Sequence, residues 1–101
     1  MAKTSMVERE KKRARLNLKF REKRSTLKEA ILNVNLSDEE KWEAVQKLQT
    51  LPRDSSIARR RNRCRLCGRS RAYNRLTGLC RIHMRYAVMN GLVPGMHKAS
   101  W

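Results

Sequence analysis

An excess of positive charge constrains this chain more than any other feature of its sequence. The 101 residues include 25 Lys or Arg and nine Asp or Glu, which gives a formal net charge of +16 at pH 7. A chain of this length allows one small domain, whose interior is too small for a large enzyme core. An RNA or DNA backbone would relieve the self-repulsion of these cations by neutralising them and releasing counterions. We therefore expect a protein that binds a polyanion.

The positive charge lies in two basic regions on either side of a slightly acidic one. The formal charges are +7 for residues 1–36, −2 for 37–51, +8 for 52–79 and +3 for 80–101. The second basic region uses only Arg, whose planar guanidinium group binds phosphate oxygens in pairs and stacks on bases. A mixed charge run is usually a solvated face, but this one-sided run favours a nucleic acid partner. The candidate contacts in this region are Arg53, Arg59, Arg60, Arg61, Arg63, Arg65, Arg69, Arg71 and Arg75.

A long first helix is predicted near the N-terminus. Ser5 and Glu8 fit a capping box, and neither Gly nor Pro follows until Pro52. The front half of this helix lacks a sustained apolar stripe, so we expect an arm that is ordered mainly when anions neutralise its cations. Only the second half is expected to pack on protein, because it carries Phe20, Leu27 and Ile31. The arm adds the candidate RNA contacts Lys11, Lys12, Arg13 and Arg15.

A second helix is predicted to begin at a second capping box, formed by Ser37 and Glu40. Acidic residues follow in its first turn, where the helix dipole favours them. The apolar residues Trp42, Val45 and Leu48 recur at a spacing of three. We expect this stripe to pack on the first helix as an antiparallel helical hairpin, which ends at Pro52.

The sharpest local motif is C-x2-C-x12-C-x2-H, formed by Cys64, Cys67, Cys80 and His83. Zinc prefers four tetrahedral ligands of N and S type, and each two-residue gap lets a pair of ligands converge on one ion. A complete set of four ligands leaves no position open for water, so the motif predicts one structural zinc ion (Zn2+). The alternative is incidental buried thiols, since an odd number of Cys in a reducing compartment argues against a disulfide framework. His97 lies outside the motif and is expected to be an ordinary exposed side chain.

A C-terminal helix is predicted to begin near Cys80, which places Cys80 and His83 on one helix face. It is expected to stop at Asn90-Gly91, and its apolar residues are Ile82, Tyr86 and Met89. The terminal Trp101 either packs on the body of the protein or stacks on a base. The candidate RNA contacts of this helix and the following tail are Arg81, Arg85, Lys98 and Trp101.

These elements predict a small, mostly α and irregular fold with a zinc-ribbon-like knuckle before the last helix. It divides into a basic helical arm and helical hairpin (1–51), an extended Arg-rich linker (52–63), and a zinc-knuckle RNA-binding module with a C-terminal tail (64–101).

The sequence has no feature of a membrane or secreted protein. No apolar run approaches the roughly 20 residues that cross a bilayer. The N-terminal segment lacks an apolar stretch of the signal-peptide type, and Glu8 and Glu10 are unusual for an organelle transit peptide. We therefore expect a cytoplasmic protein without a membrane partner.

Several segments along the chain form a known combination. They are MAKTSM at 1–6, KLQTLPRDSS at 47–56, RNRC at 61–64, Gly68-Arg69, and an ending that runs from Pro94-Gly95 to KASW. The combination spans the whole chain and closely resembles the bacterial small-subunit ribosomal protein S-fourteen family. The resemblance implies a protein without a catalytic role or a small-molecule substrate, bound to 16S ribosomal RNA in the head of the 30S subunit, near the decoding A site. It also implies that the small-subunit proteins three, ten and nineteen are neighbours.

The resembled family has a short form with a C-x2-C-x12-C-x2-C zinc site and a long form that usually lacks these ligands. This chain has the length and the 47–56 segment of the long form, but Cys64, Cys67 and Cys80 fall on ligand positions of the short form. His83 falls on the fourth position, where the family has Cys, and imidazole is a competent zinc ligand.

Two other functions fit parts of the sequence. A zinc-finger DNA regulator has a similar 12-residue spacing, but it carries His in the third ligand position and three to five residues between its two His. A thiol redox enzyme would use Cys64 and Cys67, but that motif normally sits in a strand-helix unit of a thioredoxin-like fold, and no sheet is predicted here.

Overall fold

The computed structural model describes residues 2–100, and within them the chain is mostly helical. Its α-helices are α1 (Thr4–Leu32), α2 (Asp38–Thr50) and α3 (Arg81–Met89). An antiparallel hairpin of β1 (Tyr73–Asn74) and β2 (Leu79–Cys80) precedes α3. The chain divides into two compact units, one of residues 8–60 and the other of residues up to 7 together with residues from 61 onward. The prediction of a small, mostly α and irregular fold is confirmed.

Helix α1 is a single helix of 29 residues, because neither Gly nor Pro interrupts it. It begins at Thr4, so Ser5 lies inside its first turn and is not the capping residue that the sequence predicted. The prediction that only its second half packs on protein is also wrong, because Asn17 is buried and Arg13 is half-buried. Among the described residues, no helix combines the length and the apolar composition needed to cross a membrane.

Helix α2 begins at the predicted capping box. The Ser37 hydroxyl oxygen accepts a hydrogen bond from the backbone N–H of Glu40, and the Glu40 carboxylate accepts one from the backbone N–H of Ser37. The predicted packing of Trp42 is wrong, since this side chain is 61% exposed and the buried residue is Ala44. At about 100° per residue, Trp42 lies about 160° around the helix from Ala44 and so faces away from the half-buried Leu48.

The chain runs back along α1 after α2. A guanidinium nitrogen of Arg24, Nη2, donates to the carbonyl oxygen of Pro52 at 3.2 Å, and the side-chain amide of Asn17 donates to the carbonyl oxygen of Ser55 at 3.0 Å. The later residue, Ser55, contacts the earlier position on α1, so the segment from Pro52 to Ser55 runs antiparallel to α1. The segment predicted to be extended is not extended throughout, because two short 3-10 helices, Arg53–Ser55 and Ile57–Arg59, occupy its first part.

The second unit is organised around the β-hairpin and α3. In the hairpin, Tyr73 pairs with Cys80 and Asn74 with Leu79. Helix α3 has Cys80 as its N-terminal cap and Asn90 as its C-terminal cap. The next residue, Gly91, has a left-handed φ of +68° that L-residues rarely adopt. The buried residue of α3 is Ala87, while its apolar residues Ile82, Tyr86 and Met89 are exposed.

Candidate metal centre and nucleic-acid interface

A tight turn positions the first pair of metal-ligand candidates, Cys64 and Cys67. The backbone N–H of Cys64 donates to the carbonyl oxygen of Arg69 at 2.9 Å, and that of Gly68 donates to the carbonyl oxygen of Cys64 at 2.9 Å. Gly68 has a φ of +73°, and a Cβ atom there would lie 2.8 Å from Cγ2 of Val7. Glycine is therefore required both by the backbone conformation and by the close packing of the N-terminal residues on the turn.

The second pair lies where the β-hairpin joins α3. Cys80 ends β2 and caps α3, and His83 is in the first turn of that helix. The ligand atoms of all four residues lie within 4.8 Å of one another. Nδ1 of His83 lies 3.5 Å from Sγ of Cys64 and 3.3 Å from Sγ of Cys80, and the sulfurs of Cys67 and Cys80 are 3.8 Å apart. The structure thus brings together the four predicted ligands, with the three cysteines as free thiols.

The residues present fit a metal ion. Tetrahedral zinc with sulfur at about 2.3 Å and nitrogen at about 2.0 Å requires its ligands to be about 3.8 Å apart for two sulfurs and about 3.5 Å for sulfur and nitrogen. The observed separations of 3.8, 3.5 and 3.3 Å match this arrangement closely. Soft thiolate and imidazole donors are also the set that zinc prefers. Four protein ligands would fill a tetrahedral coordination shell and leave no coordination position open for water or substrate.

The electrostatics of the cluster favour the metal-binding protonation state of two thiols. Burial opposes ionisation of Cys64, but hydrogen bonds from the backbone amides of Cys67 and Cys80 help to lower the pKa of its thiol to about 6. A backbone hydrogen bond at His83 lowers the pKa of Cys80 in the same sense. The backbone amide of Arg69 favours ionisation of Cys67, yet burial and the adjacent thiols raise the pKa of Cys67 overall. A cation at the centre of the cluster would remove this repulsion between thiolates.

The pKa of His83 is raised, because its ring forms hydrogen bonds with Cys80 and Cys64 that stabilise the imidazolium. These hydrogen bonds involve the ring nitrogen Nδ1, which faces the sulfurs of Cys64 and Cys80, the two thiols whose pKa values are lowered. A bound metal ion would take the place of the proton on this nitrogen.

Most of the predicted RNA-binding cations are exposed. No Asp or Glu follows Asp54 in the sequence. The candidate cations from Arg61 onward therefore have no acidic residue near them in the sequence. The terminal Trp101 lies outside the described residues. The exposed members are Lys11, Lys12, Arg15, Arg53, Arg59, Arg60, Arg61, Arg65, Arg71, Arg75, Arg81, Arg85 and Lys98.

The remaining predicted cations are half-buried, and two of them brace the structure. Nε of Arg13 lies 3.4 Å from Oδ1 of Asp54, to which Nη1 of Arg59 also approaches within 3.2 Å. Arg63 donates from Nη1 to the carbonyl oxygen of Gly68 at 3.0 Å, beside the Cys64 turn. The third, Arg69, accepts the turn's hydrogen bond through its backbone. Arg13 therefore braces the segment around Asp54, whereas Arg63 and Arg69 support the Cys64 turn.

Sequence reasoning missed a polar clamp formed by Asn17, Arg24 and Ser55. Nε of Arg24 donates to Oγ of Ser55 at 2.7 Å, and the Ser55 hydroxyl in turn donates to the carbonyl oxygen of Pro52. Ser55 is completely buried and Asn17 is 8% exposed. Asn17 and Arg24 share one face of α1, which was the available signal, but nothing local in the sequence pairs them with Ser55.

Taken together, the fold and the cluster define a small basic helical protein with a Cys3His group that could hold a metal ion. A model of the family described as Ribosomal protein S14p/S29e matches residues 47–100. The chain is 58% identical over all 101 residues of both chains to a small ribosomal subunit protein uS14 of Aliivibrio fischeri. Proteins of the same name from a second strain of that species and from Aliivibrio salmonicida are each 57% identical, again over the full length of both chains. The chain belongs to the S14 family of ribosomal proteins.

Family membership confirms the resemblance noted in the sequence. The chain is a structural constituent of the ribosome, it is not an enzyme, and it works in the cytoplasmic ribosome. Family membership favours this function over a DNA-binding zinc finger or a thiol redox enzyme.

Proposed function

We propose that this protein binds 16S ribosomal RNA in the head of the small subunit, near the decoding A site, and holds that RNA as a structural clamp. The observation that carries the proposal is the charge of the unit that contains the Cys3His cluster. From residue 61 onward it has nine Lys or Arg and no Asp or Glu. A polyanion would relieve the self-repulsion of such a unit, and membership of a ribosomal protein family supports RNA as that polyanion.

The proposed RNA contacts in this unit surround the metal-ligand cluster. Arg71 and Arg75 lie between the two ligand pairs, and Arg81 and Arg85 lie on α3, all with exposed side chains. Most contacts are expected to be with phosphates, because A-form RNA hides its base edges in a deep, narrow groove. We place the small-subunit proteins three, ten and nineteen beside the chain as its protein neighbours.

We also propose that Cys64, Cys67, Cys80 and His83 hold one structural zinc ion. When bound, the ion would supply folding free energy by cross-linking the turn at Cys64 to the start of α3. The chain's own residues prepare this site: the backbone amides at the turn stabilise thiolate, and Gly68 lets the N-terminal residues pack against it. The Arg residues between the ligand pairs are thereby held in one arrangement for RNA.

Binding of the full chain to a transcript of the 16S RNA head domain tests the proposal. Affinity should fall linearly with the logarithm of salt concentration, and a duplex DNA competitor should bind more weakly. The variant R71Q/R75Q should lose about tenfold in affinity, since two exposed charged contacts of about 0.7 kcal/mol each sum to about 1.4 kcal/mol. The matched control K41Q/K47Q removes two charges from the slightly acidic α2 and should bind almost as well as wild type.

Two results would contradict the proposal. One is binding that is equally tight at low and high salt, and the other is preference for the duplex DNA. Cross-linking with mass spectrometry of assembled small subunits tests the neighbours: cross-links to proteins three, ten and nineteen support the placement, and their absence overturns it.

A further inference from the structure

A basic cavity lies beside α1, within the unit of residues 8–60. It has a volume of about 340 Å3 and lies between α1 and residues 56–60. Its basic lining residues are Arg21, Arg24, Lys28 and Arg60, and none of its described lining residues is acidic. The sequence pattern pointed to Arg60 but to none of the three cations on α1.

The spacing of the α1 cations aims them at the same space. Arg21, Arg24 and Lys28 are three and four residues apart, which places them on one face of the helix. Arg60 approaches from the opposite wall. The side chains of Arg21, Lys28 and Arg60 form no hydrogen bond or ion pair with any described residue. Four cations around one cavity repel one another unless an anion enters it.

The polar clamp fixes both walls of the cavity in advance. Arg24 uses Nε and Nη2 to hold Ser55 and Pro52, at 2.7 and 3.2 Å, which leaves its Nη1 without a hydrogen bond to the described chain. Asn17 holds the same segment through the carbonyl oxygen of Ser55. The guanidinium group of Arg24 is therefore oriented before a ligand arrives, which lowers the entropic cost of binding.

We propose that this cavity binds a backbone phosphate of RNA together with its ribose. The inference rests on the proposed RNA-binding function and adds a second, separate binding site to it. The volume is sufficient for such a group, and the exposed apolar side chains of Leu18 and Ile57 line the cavity where a sugar would lie. The guanidinium groups of Arg21, Arg24 and Arg60 supply donors that match phosphate oxygens, and Lys28 adds a point charge.

The test compares two charge-matched variants of the full chain. R21Q/K28Q removes two cations from the cavity, and K19Q/K23Q removes two from the opposite face of the same helix, where neither residue lines the cavity. Binding to the head-domain transcript of 16S RNA is measured over a range of salt concentrations. R21Q/K28Q should weaken binding about tenfold and reduce the salt slope by about one, whereas K19Q/K23Q should change both much less. Circular dichroism should show unchanged helicity in both variants, because all four side chains are exposed.

The Nε–H resonance of Arg24 provides a second readout that localises the anion. The transcript should shift this resonance at stoichiometric concentration, and inorganic phosphate should shift it in the same direction only at much higher concentration. Equal losses in the two variants would overturn the cavity site while leaving the RNA-binding function intact. A shift with phosphate but none with the transcript would overturn RNA as the occupant, and failure of the wild-type chain to bind the transcript would overturn both proposals.

Discussion

The side-chain amide of Asn17 donates a hydrogen bond to the carbonyl oxygen of Ser55 at 3.0 Å, although the two residues are 38 positions apart in the chain. Both are buried, and Ser55 has no exposed surface. Among the described residues of the same unit, Ala44 is the only apolar residue that is buried. The return of the chain along α1 therefore depends on polar contacts that are satisfied within the protein.

Replacing Asn17 with Ala should destabilise the protein. The substitution leaves the buried carbonyl oxygen of Ser55 without its partner, which costs about 1 to 3 kcal/mol. The higher helix propensity of Ala offsets only about 0.5 kcal/mol of this loss. Urea unfolding followed by circular dichroism measures the change, with the exposed Gln46→Ala in α2 as the control. A free energy of unfolding equal to that of the control variant would show that the hydrogen bond is unimportant.

Two glycines with similar backbone conformations should respond differently to Ala. Gly91 has a φ of +68° and open space around it, so Gly91→Ala should cost only the conformational strain, about 1 kcal/mol. Gly68 has a φ of +73° and Val7 within 2.8 Å of the added methyl group, so Gly68→Ala should cost at least about 2 kcal/mol. Thermal unfolding of both variants gives the comparison. Equal losses would mean that the N-terminal residues do not pack closely on the Cys64 turn.

The fourth ligand position should accept Cys but not Ala. His83→Cys keeps four N or S donors and should retain one zinc ion per chain, whereas His83→Ala should bind zinc at least about tenfold more weakly. His97→Ala removes the other histidine, which is exposed and outside the cluster, and should leave zinc binding unchanged. Native mass spectrometry with and without a chelator counts the bound ions. Full zinc occupancy in His83→Ala would remove His83 from the ligand set.

Replacing Ala72 with Gly should stabilise the protein. It has a φ of +52°, the one left-handed conformation among the described residues other than glycine, and its carbonyl oxygen accepts from the backbone N–H of Arg81 at 2.9 Å. Releasing the strain should outweigh the added chain entropy and raise the free energy of unfolding by roughly 0.5 kcal/mol. Calorimetry should show a higher unfolding temperature for Ala72→Gly. A lower one would mean that the methyl group contributes packing here.

Features with local signatures could be predicted from the sequence. The capping box at Ser37 and Glu40 has both of its hydrogen bonds, and the paired Cys-x2 spacings do bring four ligand atoms together. These outcomes depend on residues within one turn of each other, or on ligands of a single ion. The absence of Gly and Pro likewise allows α1 to run without interruption, but it does not set the end at Leu32, because the first such residue is Pro52.

Features that depend on distant partners could not be predicted. Trp42 fits an apolar stripe by spacing, but a chain with so little interior buries the small Ala44 and leaves the large ring exposed. The capping box predicted at Ser5 is not formed, because the helix begins at Thr4, two residues before the Met6 that a Ser5 cap requires. The hydrogen bond between Asn17 and Ser55 leaves no local sequence pattern, because the two residues are 38 positions apart and meet only when the chain folds back along α1.

The scarcity of buried apolar side chains has a thermodynamic consequence. The heat capacity of a protein rises on unfolding mainly because apolar surface meets water, and polar surface acts in the opposite direction. Among the described residues, the buried aliphatic side chains are those of Ala44 and Ala87, and Asn17 and Ser55 are buried polar residues. The rise in heat capacity should therefore be small. The free energy of unfolding of the protein should then change only slightly with temperature.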